Sequence, residues 1–115
     1  METIHYESIA SPIFDHLKEK GWEFSYEHHS HGVVHLVLRN EKKRIEIVYE
    51  PMSCVWCKAN SDNKTQIRID PDTYTPPFGQ AHLASEFDKV RNMLEDTRTK
   101  LENMNWIEQG GEGNA

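Results

Sequence analysis

Two short stretches of the sequence hold the residues whose types and spacing could do chemistry. "SCVWCK" contains the only two cysteines, Cys54 and Cys57, separated by two residues. That spacing forms one half of many structural zinc sites, in which four cysteine or histidine ligands surround the ion. Upstream, "YEHHSHGVVH" holds a cluster of four histidines: His28, His29, His31 and His35. A zinc site would join Cys54 and Cys57 to this cluster, with His29 and His31 as the expected partners.

The cysteine pair also has an ordinary interpretation as part of a strand. "CVWCKA" is β-prone, and positions three apart in a strand point to opposite faces, so Cys54 and Cys57 would not face one ion. Free cysteines often pack as small apolar residues. A redox pair of the thioredoxin type needs a helix N-terminus to lower the thiol pKa, but another strand pattern follows here. Zinc binding is therefore kept as the alternative hypothesis.

The sequence offers little support for an enzyme. It contains no nucleophile elbow, no glycine-rich phosphate loop and no H-E-x-x-H motif. Glu50, Asp70 and Asp72 flank strand ends and could form a carboxylate group beside a histidine, but such residues are mostly solvated turn residues. We predict a protein without catalytic activity.

The charge of the chain narrows the class of partner. The 115 residues include 19 Asp and Glu against 13 Lys and Arg, which gives a formal net charge of -6. Because nucleic-acid binding relies on clustered Lys and Arg, direct nucleic-acid binding is disfavoured. An acidic surface instead suits a basic protein partner. No apolar run approaches the roughly 20 residues that span a bilayer, and "METIHYESIASP" lacks a secretory pattern. We expect a cytoplasmic protein that does not enter membranes.

Hydrophobic spacing predicts two helices around a set of strands. Residues 8–20 have apolar positions four apart, with Ser11 and Pro12 as a start signal. Alternating or β-prone segments follow at 22–28, 33–39, 44–50, 54–59 and 65–70. Residues 81–106 form the longest helical pattern. Because the links between strands are too short for parallel crossovers, the strands should form an antiparallel meander.

These elements predict an α+β fold with one domain over residues 1–107. It comprises an N-terminal helix, an antiparallel meander sheet of about five strands, and a long C-terminal helix packed on one face. Residues 108–115, rich in glycine and polar residues, should be a disordered tail.

The long helix and the loop before it supply the predicted binding surface. The apolar stripe of the helix has heptad-like spacing, and its second half is expected to extend past the sheet and pair with a second copy. Trp and Tyr are favoured interface residues. The predicted partner-binding residues are Tyr74, Phe78, Leu101, Met104, Trp106 and Ile107.

Acidity and the lack of catalytic motifs together favour a small non-enzymatic protein-binding module, expected to be a homodimer. One specific form of this hypothesis is an inhibitor that occludes the basic surface of a nucleic-acid enzyme, as small inhibitor proteins of mobile elements do. That step is an analogy with proteins of similar charge and size. The alternative is a zinc-stabilised binding domain that uses Cys54, Cys57 and the histidine cluster.

Overall fold

A computed structural model describes residues 6–51, 54–62, 65–72 and 86–109. The chain forms a helix, five strands and a second helix in that order, which confirms the predicted α+β fold. The elements are α1 (Tyr6–Phe14), a 3-10 helix (Asp15–Lys20), β1 (Glu23–His28), a 3-10 turn (Ser30–Gly32), β2 (Val34–Asn40), β3 (Lys43–Glu50), β4 (Cys54–Ser61), β5 (Gln66–Ile69) and α2 (Glu86–Asn103).

The five strands form one antiparallel sheet in the order β1-β2-β3-β4-β5, so the predicted meander is confirmed. The register places Leu36 opposite Ile47 and Ile47 opposite Cys57. All three side chains are fully buried on the same face of the sheet. We call this the core face, because the two helices pack against each other there and α2 contacts β4.

Helix α1 begins earlier than the sequence signal indicates. It starts at Tyr6, so Ser11 and Pro12 lie inside it instead of at its first turn. The chain leaves α-helical geometry after Phe14 and continues as a 3-10 helix. Pro12 lacks the N–H that would bond to the carbonyl oxygen of Ser8, so it weakens the turn of α1 that precedes it.

Tyr6 ties α1 to the middle of the sheet. Its hydroxyl donates a hydrogen bond of 3.1 Å to the carbonyl oxygen of Ile47. Its ring stacks on Tyr49, with centroids 5.5 Å apart and planes inclined by 10°. The hydrogen bond to Ile47 therefore satisfies the hydroxyl, which is the one polar group that the Tyr6 side chain carries into the core.

Helix α2 covers the sheet with the middle of the predicted stripe. Among the described side chains of α2, the fully buried ones are Val90, Leu94, Thr97 and Leu101. Thr97 is tolerated there because its hydroxyl donates to the carbonyl oxygen of Met93 at 2.8 Å. At about 1.5 Å per residue, the 18 residues of α2 span roughly 27 Å. Residues 81–85, which the sequence assigned to the same helix, lie outside the described residues.

The segment after α2 folds back onto the domain. Trp106 and Ile107 are buried, and Lys43 donates to the carbonyl oxygen of Trp106 at 3.2 Å. Glu108, which the sequence assigned to the tail, accepts a 2.8 Å hydrogen bond from the indole nitrogen of Trp22. The chain therefore contacts the rest of the fold as far as Glu108. Residues 110–115 of the predicted tail lie outside the described residues.

Gly21 provides a first testable prediction about the fold. It ends the 3-10 helix in the left-handed conformation, with φ +95°. A Cβ atom there would meet the Asn40 side chain at 3.6 Å, an ordinary contact, so backbone strain alone should decide the cost. We expect Gly21→Ala to lower the unfolding free energy by about 1 kcal/mol in urea titrations. Gly21→Asn should lower the unfolding free energy by less, because asparagine adopts the left-handed conformation more readily than alanine. Equal stability of Gly21→Ala and the wild type would contradict this interpretation.

Candidate functional site

The two halves of the predicted zinc site do not come together at Cys57. This thiol is fully buried on the core face. His35 pairs with Val48, and Cys57 pairs with Ile47, so the two side chains lie on opposite faces of the sheet. Burial, with a contribution from the charge of Glu46, raises the pKa of the Cys57 thiol to about 12. The thiolate that zinc binds is therefore disfavoured here.

The side chain of Cys54 lies outside the described residues. Its backbone belongs to β4, opposite Glu50. The structure therefore places the second cysteine on a strand, as the ordinary interpretation of "CVWCKA" predicts, and gives no ligand geometry for it.

Three other side chains meet at one end of the β1–β2 hairpin: Glu27, His29 and His35. One potential ligand atom from each lies within 4.8 Å of the other two. The His29 and His35 rings have centroids 4.4 Å apart and are tilted by 48°. His29 Nε2 lies 3.6 Å from Glu27 Oε1. We call these residues the His–Glu cluster; it combines two imidazoles and one carboxylate at a partly exposed position.

The hairpin positions the His–Glu cluster through its register and its turn. Glu27 on β1 lies directly opposite His35 on β2. Between them the chain makes a short 3-10 turn in which His31 has φ +64° and Gly32 has φ +77°. The His29 N–H donates to the carbonyl oxygen of Val33 at 2.8 Å, which closes the turn and holds His29 beside the hairpin.

The carboxylate of Glu46 on β3 lies beside His35 and is held in place by Arg44. Glu46 Oε1 is 3.8 Å from His35 Nδ1, and the Glu46 side chain is only 16% exposed. Arg44 donates two hydrogen bonds to Glu46, at 3.0 and 2.7 Å. Burial acts to raise the pKa of Glu46, but the hydrogen bond and charge of Arg44, with Lys58 and His35, outweigh it and lower the pKa. Glu46 therefore stays ionised beside His35.

The remaining histidines of the predicted cluster take no part in it. His28 contacts Glu7 of α1 at 2.9 Å. His31 is exposed in the turn and, among the described residues, does not join His29 and His35. Sequence reasoning missed Glu27 as a member of the group. If the length of the turn were known, counting residues outward from it along both strands would pair Glu27 with His35. The residue types in the turn do not fix that length.

The predicted partner-binding residues divide into buried, exposed and undescribed ones. Leu101 is fully buried, and Trp106 and Ile107 are 9% and 5% exposed, so they serve the core of one chain. The chain turns back after α2 and covers these three side chains itself, and pairing with a second copy stays a prediction. Met104 is 50% exposed. Tyr74 and Phe78 lie outside the described residues.

The carboxylates proposed as a catalytic group are engaged separately. Asp70 accepts hydrogen bonds from Arg68, the shortest being 2.9 Å. Asp72 lies 3.3 Å from the Lys100 ammonium group. Glu50 accepts a hydrogen bond of 3.1 Å from the Trp56 indole nitrogen. Each carboxylate therefore has its own partner.

Charge is distributed unevenly along the chain. Residues 70–115 contain nine carboxylates and four Lys or Arg, a formal charge of -5. Residues 6–29, which form α1, the first 3-10 helix and β1, contain five carboxylates and two lysines, a formal charge of -3. Residues 34–69, which form the other four strands, contain four carboxylates and seven Lys or Arg, a formal charge of +3. We call the surface formed by residues 6–29 the acidic side. Its carboxylates are Glu7, Asp15, Glu19, Glu23 and Glu27.

No family model matches this chain, and comparisons with curated proteins and with solved structures find no match either. We therefore infer function from the residues and geometry of the chain itself. In the described part of the chain, no helix has both the length and the apolar character needed to cross a membrane.

Proposed function

We propose that this chain is a small non-enzymatic binding module that docks its acidic side onto a basic surface of another protein. The observation that carries the proposal is the excess of five carboxylates over two lysines within residues 6–29. The partner class that fits best is a nucleic-acid enzyme, because its phosphate-binding surface is rich in Lys and Arg. By covering that surface the chain would inhibit the enzyme.

Charge pairing distinguishes two carboxylates of the acidic side, Glu19 and Glu23, from Glu46 in the middle of the sheet. Glu46 lies 2.7 Å from Arg44 and 4.0 Å from Lys58, so its charge is already compensated. On the acidic side, Glu19 and Glu23 have no ion-pair partner within 4.0 Å among the described residues. These carboxylates can meet a cationic partner without first breaking an internal pair, which favours recognition there.

Strand β1 adds backbone groups to the acidic side. It is an edge strand of the described sheet, and an edge carries a row of N–H and C=O groups that an extended peptide can pair with. Glu23 and Glu27 are exposed on it. Like charges opposite each other disfavour pairing with a second copy of β1, whereas Lys or Arg on a partner strand would be favourable. The edge therefore suits a basic partner.

The sequence also suggested a homodimer, a cytoplasmic location and a zinc-stabilised fold, and these hypotheses have less support than docking through the acidic side. A homodimer through the C-terminal helix would have to use Met104 without Leu101, Trp106 and Ile107, which are buried. A cytoplasmic site of action agrees with the free thiol of Cys57, because cytosolic proteins keep their thiols reduced. Zinc stabilisation through the cysteine pair would require Cys57 to leave the core.

Charge reversal on two sides of the molecule tests the proposal. Glu19→Lys/Glu23→Lys alters the acidic side, and Asp62→Lys/Glu95→Lys makes the same change in net charge at exposed positions elsewhere. Each protein is immobilised and used to capture partners from a cell extract at about 0.1 M and about 1 M salt. The higher salt shortens the Debye length from about 10 to about 3 Å, which should release an electrostatic partner.

We expect the wild type and the control variant to capture the same basic nucleic-acid enzyme at low salt. The acidic-side variant should bind it at least about tenfold more weakly. The purified enzyme should then lose affinity for its nucleic acid when the chain is added. Equal losses for the two variants, or capture that ignores salt, would rule out docking through the acidic side.

A further inference from the structure

We infer that Glu27, His29 and His35 bind a divalent transition-metal ion of the zinc type. Docking a basic protein does not require such an ion, so this inference goes beyond the proposed function. It rests on one geometric fact: two imidazoles and one carboxylate place ligand atoms within 4.8 Å of one another.

The separations between ligand atoms are close to those around a bound ion. Bonds of about 2.0–2.2 Å in a tetrahedral zinc site put neighbouring ligand atoms roughly 3.4 Å apart. His29 Nε2 and Glu27 Oε1 are already 3.6 Å apart. The His29 and Glu27 side chains are 48% and 45% exposed, which leaves them free to close the remaining distance to His35 by small rotations.

Glu46 prepares His35 to act as a ligand. Metal-binding histidines usually direct the second ring N–H to a carboxylate, which fixes the tautomer and the ring orientation. His35 Nδ1 and Glu46 Oε1 lie 3.8 Å apart, and a small ring rotation would bring them within hydrogen-bond distance. A proton held on Nδ1 leaves Nε2 for the ion. The two hydrogen bonds from Arg44 keep Glu46 in place for this role.

The donor set selects the class of ion. Imidazole nitrogen suits zinc, nickel, cobalt and copper, whereas calcium and magnesium prefer oxygen ligands alone. Three protein ligands at a partly exposed position leave at least one coordination site for water. Structural zinc sites use four protein ligands. The His–Glu cluster should therefore hold an exchangeable ion, and removal of the ion by a chelator should leave the fold intact.

Two adjacent histidines offer a matched test. His29 belongs to the cluster, and His28 contacts Glu7 instead. Zinc is titrated by calorimetry into untagged, chelator-treated protein. We expect one zinc ion per chain for the wild type and for His28→Gln. His29→Gln and His35→Gln should each weaken binding by at least about tenfold. Circular dichroism should confirm that every variant keeps its secondary structure.

Cysteine variants separate this site from the one that the sequence first indicated. Cys54→Ser and Cys57→Ala should bind zinc as the wild type does. Cobalt bound in place of zinc should show ligand-field absorption without the charge-transfer band of a thiolate. Equal weakening by His28→Gln and His29→Gln, loss of zinc with either cysteine, or no zinc binding at all would each overturn the inference. Because Glu19 and Glu23 are untouched, partner capture should survive His29→Gln.

Discussion

Replacing Leu101 by alanine should lower the free energy of unfolding by about 2–5 kcal/mol, whereas Met104→Ala should change it by less than about 0.5 kcal/mol. Leu101 lies in the last turn of α2 and Met104 directly follows the helix, but the two residues differ in burial. Leu101 is fully buried, so its removal loses apolar contacts and leaves a cavity. Met104 is 50% exposed and loses little on truncation.

Urea unfolding followed by tryptophan fluorescence measures both values, because Trp22 and Trp106 are buried in the folded protein. The titrations should be repeated at two protein concentrations. A monomer gives the same midpoint at both, whereas a dimer becomes more stable at the higher concentration. A large loss for Met104→Ala, together with concentration dependence, would show that a second copy covers this helix end after all.

Raising the pH should destabilise the folded protein, and Cys57→Ala should remove part of that loss. Burial, followed by the charge of Glu46, raises the pKa of Cys57 from 9.0 to about 12. Below about pH 9 the thiol is protonated in both states and makes no pH-dependent contribution. Between about pH 9 and 12 the unfolded state releases this proton and the folded state keeps it. Stability then falls by up to about 1.4 kcal/mol per pH unit.

The difference between wild type and Cys57→Ala reports the thiol together with its coupling to Tyr6. Burial raises the pKa of Tyr6 in both proteins, and the charges of Tyr26 and Cys57 add to that rise in the wild type. Between about pH 8 and pH 11 the stability advantage of the wild type over Cys57→Ala should shrink by about 2–3 kcal/mol. A constant difference would mean that the Cys57 thiol ionises as readily as in solvent. The cysteine would then again be available to a metal.

The antiparallel sheet could be predicted because it follows from patterns between neighbouring residues in the sequence. Alternation in segments such as 33–39 and 44–50 assigns side chains to two faces, since successive residues of a strand point in opposite directions. Short turns then leave antiparallel pairing as the only arrangement. The strand register, which alternation alone does not give, then puts Cys57 and His35 on opposite faces.

The ends of the helices were harder to predict than the strands. Contacts between residues distant in the sequence decide where each helix begins and ends. An apolar stripe has the same spacing whether it packs on its own sheet or on a second chain, so Leu101 alone does not distinguish the two. Burial of Trp106 depends on the chain turning back after α2, where Asn105 has φ +64°. Pro12 looked like a start signal, but the anchoring of Tyr6 extends α1 in front of it.

The His–Glu cluster depends on contacts between strands that sequence spacing does not give. Glu27 and His35 meet through the hairpin register, and Glu46 reaches His35 from β3. The histidine-rich turn drew attention to the right region of the chain. Which of its members point together is decided by the left-handed conformation of His31 and by the contact of His28 with Glu7.

Hydrogen–deuterium exchange on the complex with the captured basic enzyme tests docking through the acidic side most directly. Binding should slow exchange at the backbone amides of α1 and β1, and Glu19→Lys/Glu23→Lys should abolish that protection at matched concentrations. Amides of β5 and α2 should exchange as in the free protein. Protection confined to α2 or β5, with α1 and β1 unchanged, would contradict the proposed interface and place the partner on α2 or on the β5 edge of the sheet.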